Sequence, residues 1–161
     1  TFNIYLPRHS RESEGIHIAK EIPTLFEGRE TILVVEDEPG ILKMIRMVLE
    51  SLGYTVLAAA SPREAMEMAE NAEHDIQLLL TDVIMPEMNG HELAQAILAL
   101  RPAIKRVFMS GYTADIIEVS GATEESVAFL QKPYTKLELA TKIREVLDGT
   151  HAPPRTELPD R

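Results

Sequence analysis

No cysteine occurs in the 161 residues, so no disulfide framework holds this chain together and its redox compartment is left open. No apolar run reaches the roughly 18 residues that a membrane-spanning helix needs, and no signal peptide is visible. Positive charge is scarce as well: 16 basic residues stand against 26 acidic ones, a net charge of −10. The deficit is uneven, since residues 1–29 hold four basic and four acidic groups, residues 150–161 two of each, and residues 30–149 ten and twenty. Negative charge concentrated on the central segment would repel a phosphate backbone, which argues against nucleic acid as a partner. The five histidines, His9, His17, His74, His91 and His151, show no metal-ligand spacing and read as surface or linker residues, and the seven methionines read as packing. The expectation is a cytoplasmic domain without direct membrane contact, with 45% hydrophobic residues to build a core.

What the chain does have is a regular alternation of apolar strand-like runs and amphipathic segments. Thr31–Val35, Thr55–Ala59, the run from Ile76 to Asp82, Arg106–Met109 and Val127–Gln131 read as strands. Between them, Pro39 suits a helix start, and Ile41, Ile45, Val48, Leu49 and Leu52 recur at helical spacing until Gly53. Ser61-Pro62-Arg63-Glu64 combines an N-cap, a proline at the first helical position and a glutamate three residues on, predicting a helix to about Ala72. Further helices are predicted over Gly90–Leu100, over Thr113–Val119, where three β-branched residues weaken the case, and over Thr135–Asp148, with Leu137, Ala140, Ile143 and Leu147 inward. Right-handed crossovers turn this order into an α/β, doubly wound (βα)5 fold of the flavodoxin-like kind, its five parallel strands in the order 2-1-3-4-5.

Chemistry-bearing residues follow these strands. Glu36-Asp37-Glu38 succeed the first, Asp82 ends the third and leads into Met85-Pro86 and Asn89-Gly90, Ser110-Gly111 follow the fourth, and Lys132-Pro133 the fifth. Open α/β sheets gather such groups at the carboxyl edge of the strands. Carboxylates crowded there repel one another unless a hard cation such as Mg²⁺ lies between them. An ionised Asp82 can attack phosphorus without a general base, while Ser110 and Lys132 meet the incoming anionic oxygens. Singly each motif is weak, since an acidic run, a strand-end aspartate and a Ser-Gly turn are common; together they define one site.

At intervals of 45, 28 and 22 residues from Asp37 through Asp82 and Ser110 to Lys132, these motifs resemble the response-regulator receiver domain, the phospho-acceptor module of two-component signalling. The resemblance covers residues 30–149, about three quarters of the chain. It implies that Glu36 and Asp37 hold Mg²⁺ together with Asp82 and the backbone carbonyl of Ile84. It further implies that Asp82 accepts the phosphoryl group, that Ser110 contacts it, that Lys132 is its counter-ion and that Phe129 is the switch aromatic. A cis Lys132–Pro133 bond belongs to the same pattern. Such a module catalyses its own phosphorylation and dephosphorylation and takes its phosphoryl group from the phosphohistidine domain of a histidine kinase or from a histidine phosphotransfer protein. It then rearranges the face formed by the fourth strand, the helix after it and the fifth strand. The other class with an aspartyl nucleophile on a similar sheet is the metal-dependent aspartyl-phosphate phosphohydrolase. That class usually carries a second aspartate two residues after the nucleophile, where this chain has Ile84.

The ends read differently. Thr1–Arg8 alternates like a strand that stops at Pro7 and resembles the last strand of a histidine-kinase ATP-binding domain, which would make this the receiver end of a hybrid histidine kinase. Residues 9–29 then form a linker, and the proline-bearing residues 150–161 a disordered tail. No effector segment follows the last predicted helix here, so output is expected to pass through another protein or back to the kinase.

Overall fold

The computed structural model describes residues 28–71, 73–111 and 128–149. The expected strand over 1–8, the linker up to residue 27, the helix over 113–119 and the tail over 150–161 lie outside the described residues.

Among the described residues nine elements follow one another: β1 (Thr31–Val35), α1 (Pro39–Glu50), β2 (Thr55–Ala59), α2 (Pro62–Glu70), β3 (Ile76–Asp82), α3 (Gly90–Leu100), β4 (Lys105–Ser110), β5 (Ala128–Gln131) and α4 (Lys136–Asp148). The strands form one parallel sheet in the order β2-β1-β3-β4-β5, the expected doubly wound arrangement. Successive side chains of a strand face opposite ways, and both faces are covered, which is why the strands read as unbroken apolar runs. Ile32, Val34, Leu78, Leu80, Val107 and Met109 pack on one face with Ile45 and Leu49 of α1 and Leu139 and Ile143 of α4. Leu33, Val35, Leu79 and Phe108 pack on the other with Ala65 and Ala69 of α2 and Leu93 and Ile97 of α3. At about 1.5–3 kcal/mol for each large apolar side chain buried, these two layers dominate the stability.

Local signals set the helix boundaries. Ser61 Oγ accepts from Glu64 N, while Asn89 with Glu92 and Thr135 with Glu138 form complete capping boxes that start α3 and α4. Gly53 closes the turn after α1 at φ 91°, and a Cβ there would come within 2.7 Å of the Gly28 carbonyl oxygen. One inward assignment is overturned: Leu137 is 51% exposed, and Leu139 occupies the core in its place. Leu137 lies in the first turn of α4, where no element of the described residues covers it.

Candidate functional site

Parallel strands bring their carboxyl ends to one edge, and the chemistry-bearing residues meet there. Glu36 directly follows β1, its backbone amide donating to the Ala59 carbonyl at 3.3 Å, and it is almost completely buried. Asp82 ends β3 and is level with Met109 of β4. One carboxylate oxygen from each of Glu36, Asp37 and Asp82 lies within 4.8 Å of the others; Asp37 is exposed. Lys132, one residue past β5, reaches into this group, its Nζ donating to Glu36 Oε2 and to Asp82 Oδ2 at 2.7 Å each. Ser110, buried at the end of β4, is level with Gln131, and its carbonyl accepts from the Lys132 backbone amide at 2.7 Å. The Lys132–Pro133 bond is cis.

Burial pushes the Glu36 carboxyl above its ordinary value of 4.5, against the pull of the Lys132 ammonium, and the Asp82 charge pushes it further up. Burial alone would lower Lys132, but its hydrogen bonds to Asp82 and Glu36 outweigh that, and the ammonium is held above 10.5. Tyr134 beside it is pushed up to about 12, mainly by burial; its neutral hydroxyl donates to the thioether of Met109 at 3.1 Å. One cation thus faces three carboxylates, and the surplus negative charge with hard oxygen donors fits a divalent cation of the Mg²⁺ kind.

Ile84 sits in the loop after β3 with its side chain 60% exposed. That loop is fixed from both sides, since Val83 N donates to the Met109 carbonyl and Gly90 N donates to the Val83 carbonyl. Phe129 on β5 is half-buried, with its ring 5.7 Å from that of Phe108. Two features of this edge escaped sequence reasoning. Thr81 is fully buried and donates to the Asp82 carbonyl. His91, read as a surface residue, instead turns its ring toward Phe108 at 6.3 Å, with a buried Nδ1 that finds no partner among the described residues. Neither carries a motif of its own; only the seat of α3 on β3 and β4 reveals them.

Residues 32–144 match the profile of the response regulator receiver domain, and the chain belongs to that family. It is therefore a receiver domain of two-component signalling, and nothing favours the phosphohydrolase. Among curated relatives, the sensor kinase CckA of Brucella abortus (strain 2308) is 36% identical over 155 residues, taking in 92% of this chain but 16% of that protein. The response regulator receiver protein CpdR of the same organism is 31% identical over 116 residues, 72% of this chain and 95% of that protein. Among solved structures, the receiver domain of the hybrid histidine kinase CckA superposes with a TM-score of 0.62 at 34% identity, over 73% of this chain and 98% of that one. A CheY-like receiver domain protein from Methanospirillum hungatei JF-1 gives a TM-score of 0.67 at 32% identity, over 76% and 96%. Among the described residues no helix is long and apolar enough to cross a membrane.

Proposed function

We propose that Asp82 is the phospho-acceptor of this receiver, and that it takes its phosphoryl group from a phosphohistidine on the phosphorylatable domain of a histidine kinase or on a histidine phosphotransfer protein. The observation that carries this reading is the placement of Lys132 Nζ within 2.7 Å of both Glu36 and Asp82 at the carboxyl edge of the sheet. In the reaction a carboxylate oxygen of Asp82 attacks phosphorus as the phosphorus–nitrogen bond breaks, and the departing imidazole keeps the bond electrons and takes up a proton. Lys132 would turn from the carboxylates it holds to an oxygen of the arriving group, and the Ser110 hydroxyl would contact another. Glu36, Asp37, Asp82 and the Ile84 carbonyl would hold Mg²⁺, which neutralises charge on the transferring phosphoryl oxygens. Phe129, packed on Phe108 two residues before Ser110, would follow movement of that hydroxyl and relay it to the β4–β5 side.

The same reading extends to the parent protein. A match over 92% of the chain leaves about 13 residues out, so at least half of residues 1–29 fall within the likeness to CckA. That likeness supports a hybrid histidine kinase, working in the cytoplasm where the ATP that charges such a histidine is found. The decisive experiment is labelling with acetyl phosphate and Mg²⁺: one phosphoryl group per chain is expected, and none on Asp82→Asn. Label that persists on that variant overturns the assignment.

A further inference from the structure

Among the described residues only three polar or charged side chains are buried, Glu36, Thr81 and Ser110, and all three stand at the carboxyl edge of the sheet. Glu36 and Ser110 belong to the site. Thr81 points the other way. In β3 the side chains of Leu78 and Leu80 enter the layer under α1 and α4, while Leu79 and Val83 enter the layer under α2 and α3, and Thr81 shares the latter phase. A hydroxyl at a fully buried strand position costs free energy unless it is hydrogen-bonded, and valine would fill the same volume without that cost. The Thr81 hydroxyl meets the requirement in one direction: Oγ1 donates to the Asp82 backbone carbonyl at 3.0 Å.

Gly90, the first residue of α3, closes on the same carbonyl beside Thr81. A Cβ built on Gly90 would lie 2.0 Å from the Asp82 carbonyl oxygen and 3.2 Å from Thr81 Oγ1. No side chain fits there, so the helix terminus closes directly onto the peptide that follows the acceptor. The next peptide is held as well, because Gly90 N donates to the Val83 carbonyl at 2.9 Å and Val83 N donates to the Met109 carbonyl at 3.0 Å.

We propose that Thr81 is a positioning residue for phosphoryl transfer: its hydroxyl, with Gly90, clamps the Asp82 carbonyl and so fixes the plane of the 82–83 peptide, from which both the Asp82 carboxylate and the Ile84 carbonyl are aimed at the cation and at phosphorus. This rests on Asp82 being the acceptor. Rotating a peptide plane by a few tens of degrees moves the groups on either side by about an ångström, a displacement that can lower the rate of a positioned reaction by up to about 100-fold. Loss of one constraint out of four is therefore expected to lower it by about tenfold.

The test compares Thr81→Val, which keeps shape and removes the hydroxyl, with Thr81→Ser, which keeps the hydroxyl and removes a methyl. The rate of phosphorylation by acetyl phosphate at saturating Mg²⁺, the Mg²⁺ dissociation constant by calorimetry and the melting temperature are measured on the full chain. The clamp requires that Thr81→Val lose about tenfold in rate and bind Mg²⁺ more weakly, that Thr81→Ser recover most of both, and that neither effect follow the order of melting temperatures. A merely structural threonine would move the melting temperature and leave both functional readings at the parent value. Thr81→Val matching the parent, or Thr81→Ser as impaired as Thr81→Val, overturns the proposal. Asp82→Asn run in parallel keeps the two readings apart: label retained there removes the acceptor assignment, whereas label lost there with an unimpaired Thr81→Val removes only the clamp.

Discussion

Lys132 neutralises two carboxylates at once, one of which is nearly sealed from water. Removing the ammonium in Lys132→Met leaves Glu36 buried without its cation, a loss of about 2 kcal/mol once the partial exposure of the lysine is allowed for. Glu36 already titrates above 4.5, so ionising it costs stability: its contribution is full below pH 4.5 and declines as the pH rises through the folded value. The melting difference between Lys132→Met and the parent should therefore be largest near neutrality and shrink as the pH falls through the raised value and Glu36 takes a proton; a pH-independent difference would contradict this. Lys132 has its own window. Its folded value lies above 10.5, so its contribution persists below that pH and is lost in stronger alkali. Asp37 is the exposed member of the crowd. In chelator, Asp37→Asn is expected to melt on the order of 2 °C higher than the parent through relief of repulsion, and to lose that advantage at saturating Mg²⁺. With Asp82 as the proposed acceptor, the Ile84 side chain offers no hydrogen bond to a hydrolytic water, so Ile84→Asn should shorten the lifetime of the phosphorylated state, as read from its decay after donor removal.

The elements show where sequence reasoning reaches and where it stops. β2, the end of β3 at Asp82 and the span of α3 match their sequence expectations residue for residue, because period, caps and glycines are local signals. The site residues were legible for a related reason: each follows a strand, and a parallel sheet carries every strand end to the same edge. Leu137 was not legible. A spacing of 137, 140, 143 and 147 is as helical as one through Leu139, and only the position of the first turn of α4 against the sheet separates them. Thr81 and Gly90 were hidden similarly, since their roles depend on how closely α3 approaches β3. A prediction follows for the ends of the elements opposite the site. Arg144 of α4 donates to Glu30 ahead of β1 at 2.9 Å and to Asp148. Burial resists ionisation of Glu30, but its hydrogen bonds from backbone amides and from Arg144 outweigh it, and its value falls below 4.5; Asp148 is lowered by Arg144 below 3.8. Lowered carboxylates stabilise above their ordinary values and lose that contribution as the pH falls through the folded ones. Arg144→Met should thus melt lower than the parent at pH 7, and the gap should close as the pH falls through the lowered folded values; a gap that survives in acid would assign the loss to packing of the arginine stem.

At the scale of the whole molecule, the candidate site and the Gly28–Glu30 segment lie at opposite edges of one sheet. The strands run from an edge that receives the chain at Gly28 to an edge that carries Asp82. Gly28 donates to the Leu52 carbonyl and leaves no room for a side chain, since a Cβ would lie 2.1 Å from the Tyr54 ring, and Arg144 ties Glu30 to the last helix. Gly28 and Glu30 therefore grip the base of the domain. Five residues of β1, at about 3.3 Å each, stand between that grip and Glu36. In a tethered reaction the encounter rate depends on the volume that the tether lets the reactive group sweep. Were the domain tethered through Gly28 to a histidine-bearing segment, as the proposed hybrid kinase requires, each degree of swing there would become a longer arc at Asp82, the proposed acceptor. Shortening or stiffening the segment before Gly28 should change the rate of transfer from an attached histidine and leave phosphorylation by acetyl phosphate untouched, because a freely diffusing donor has no use for the lever.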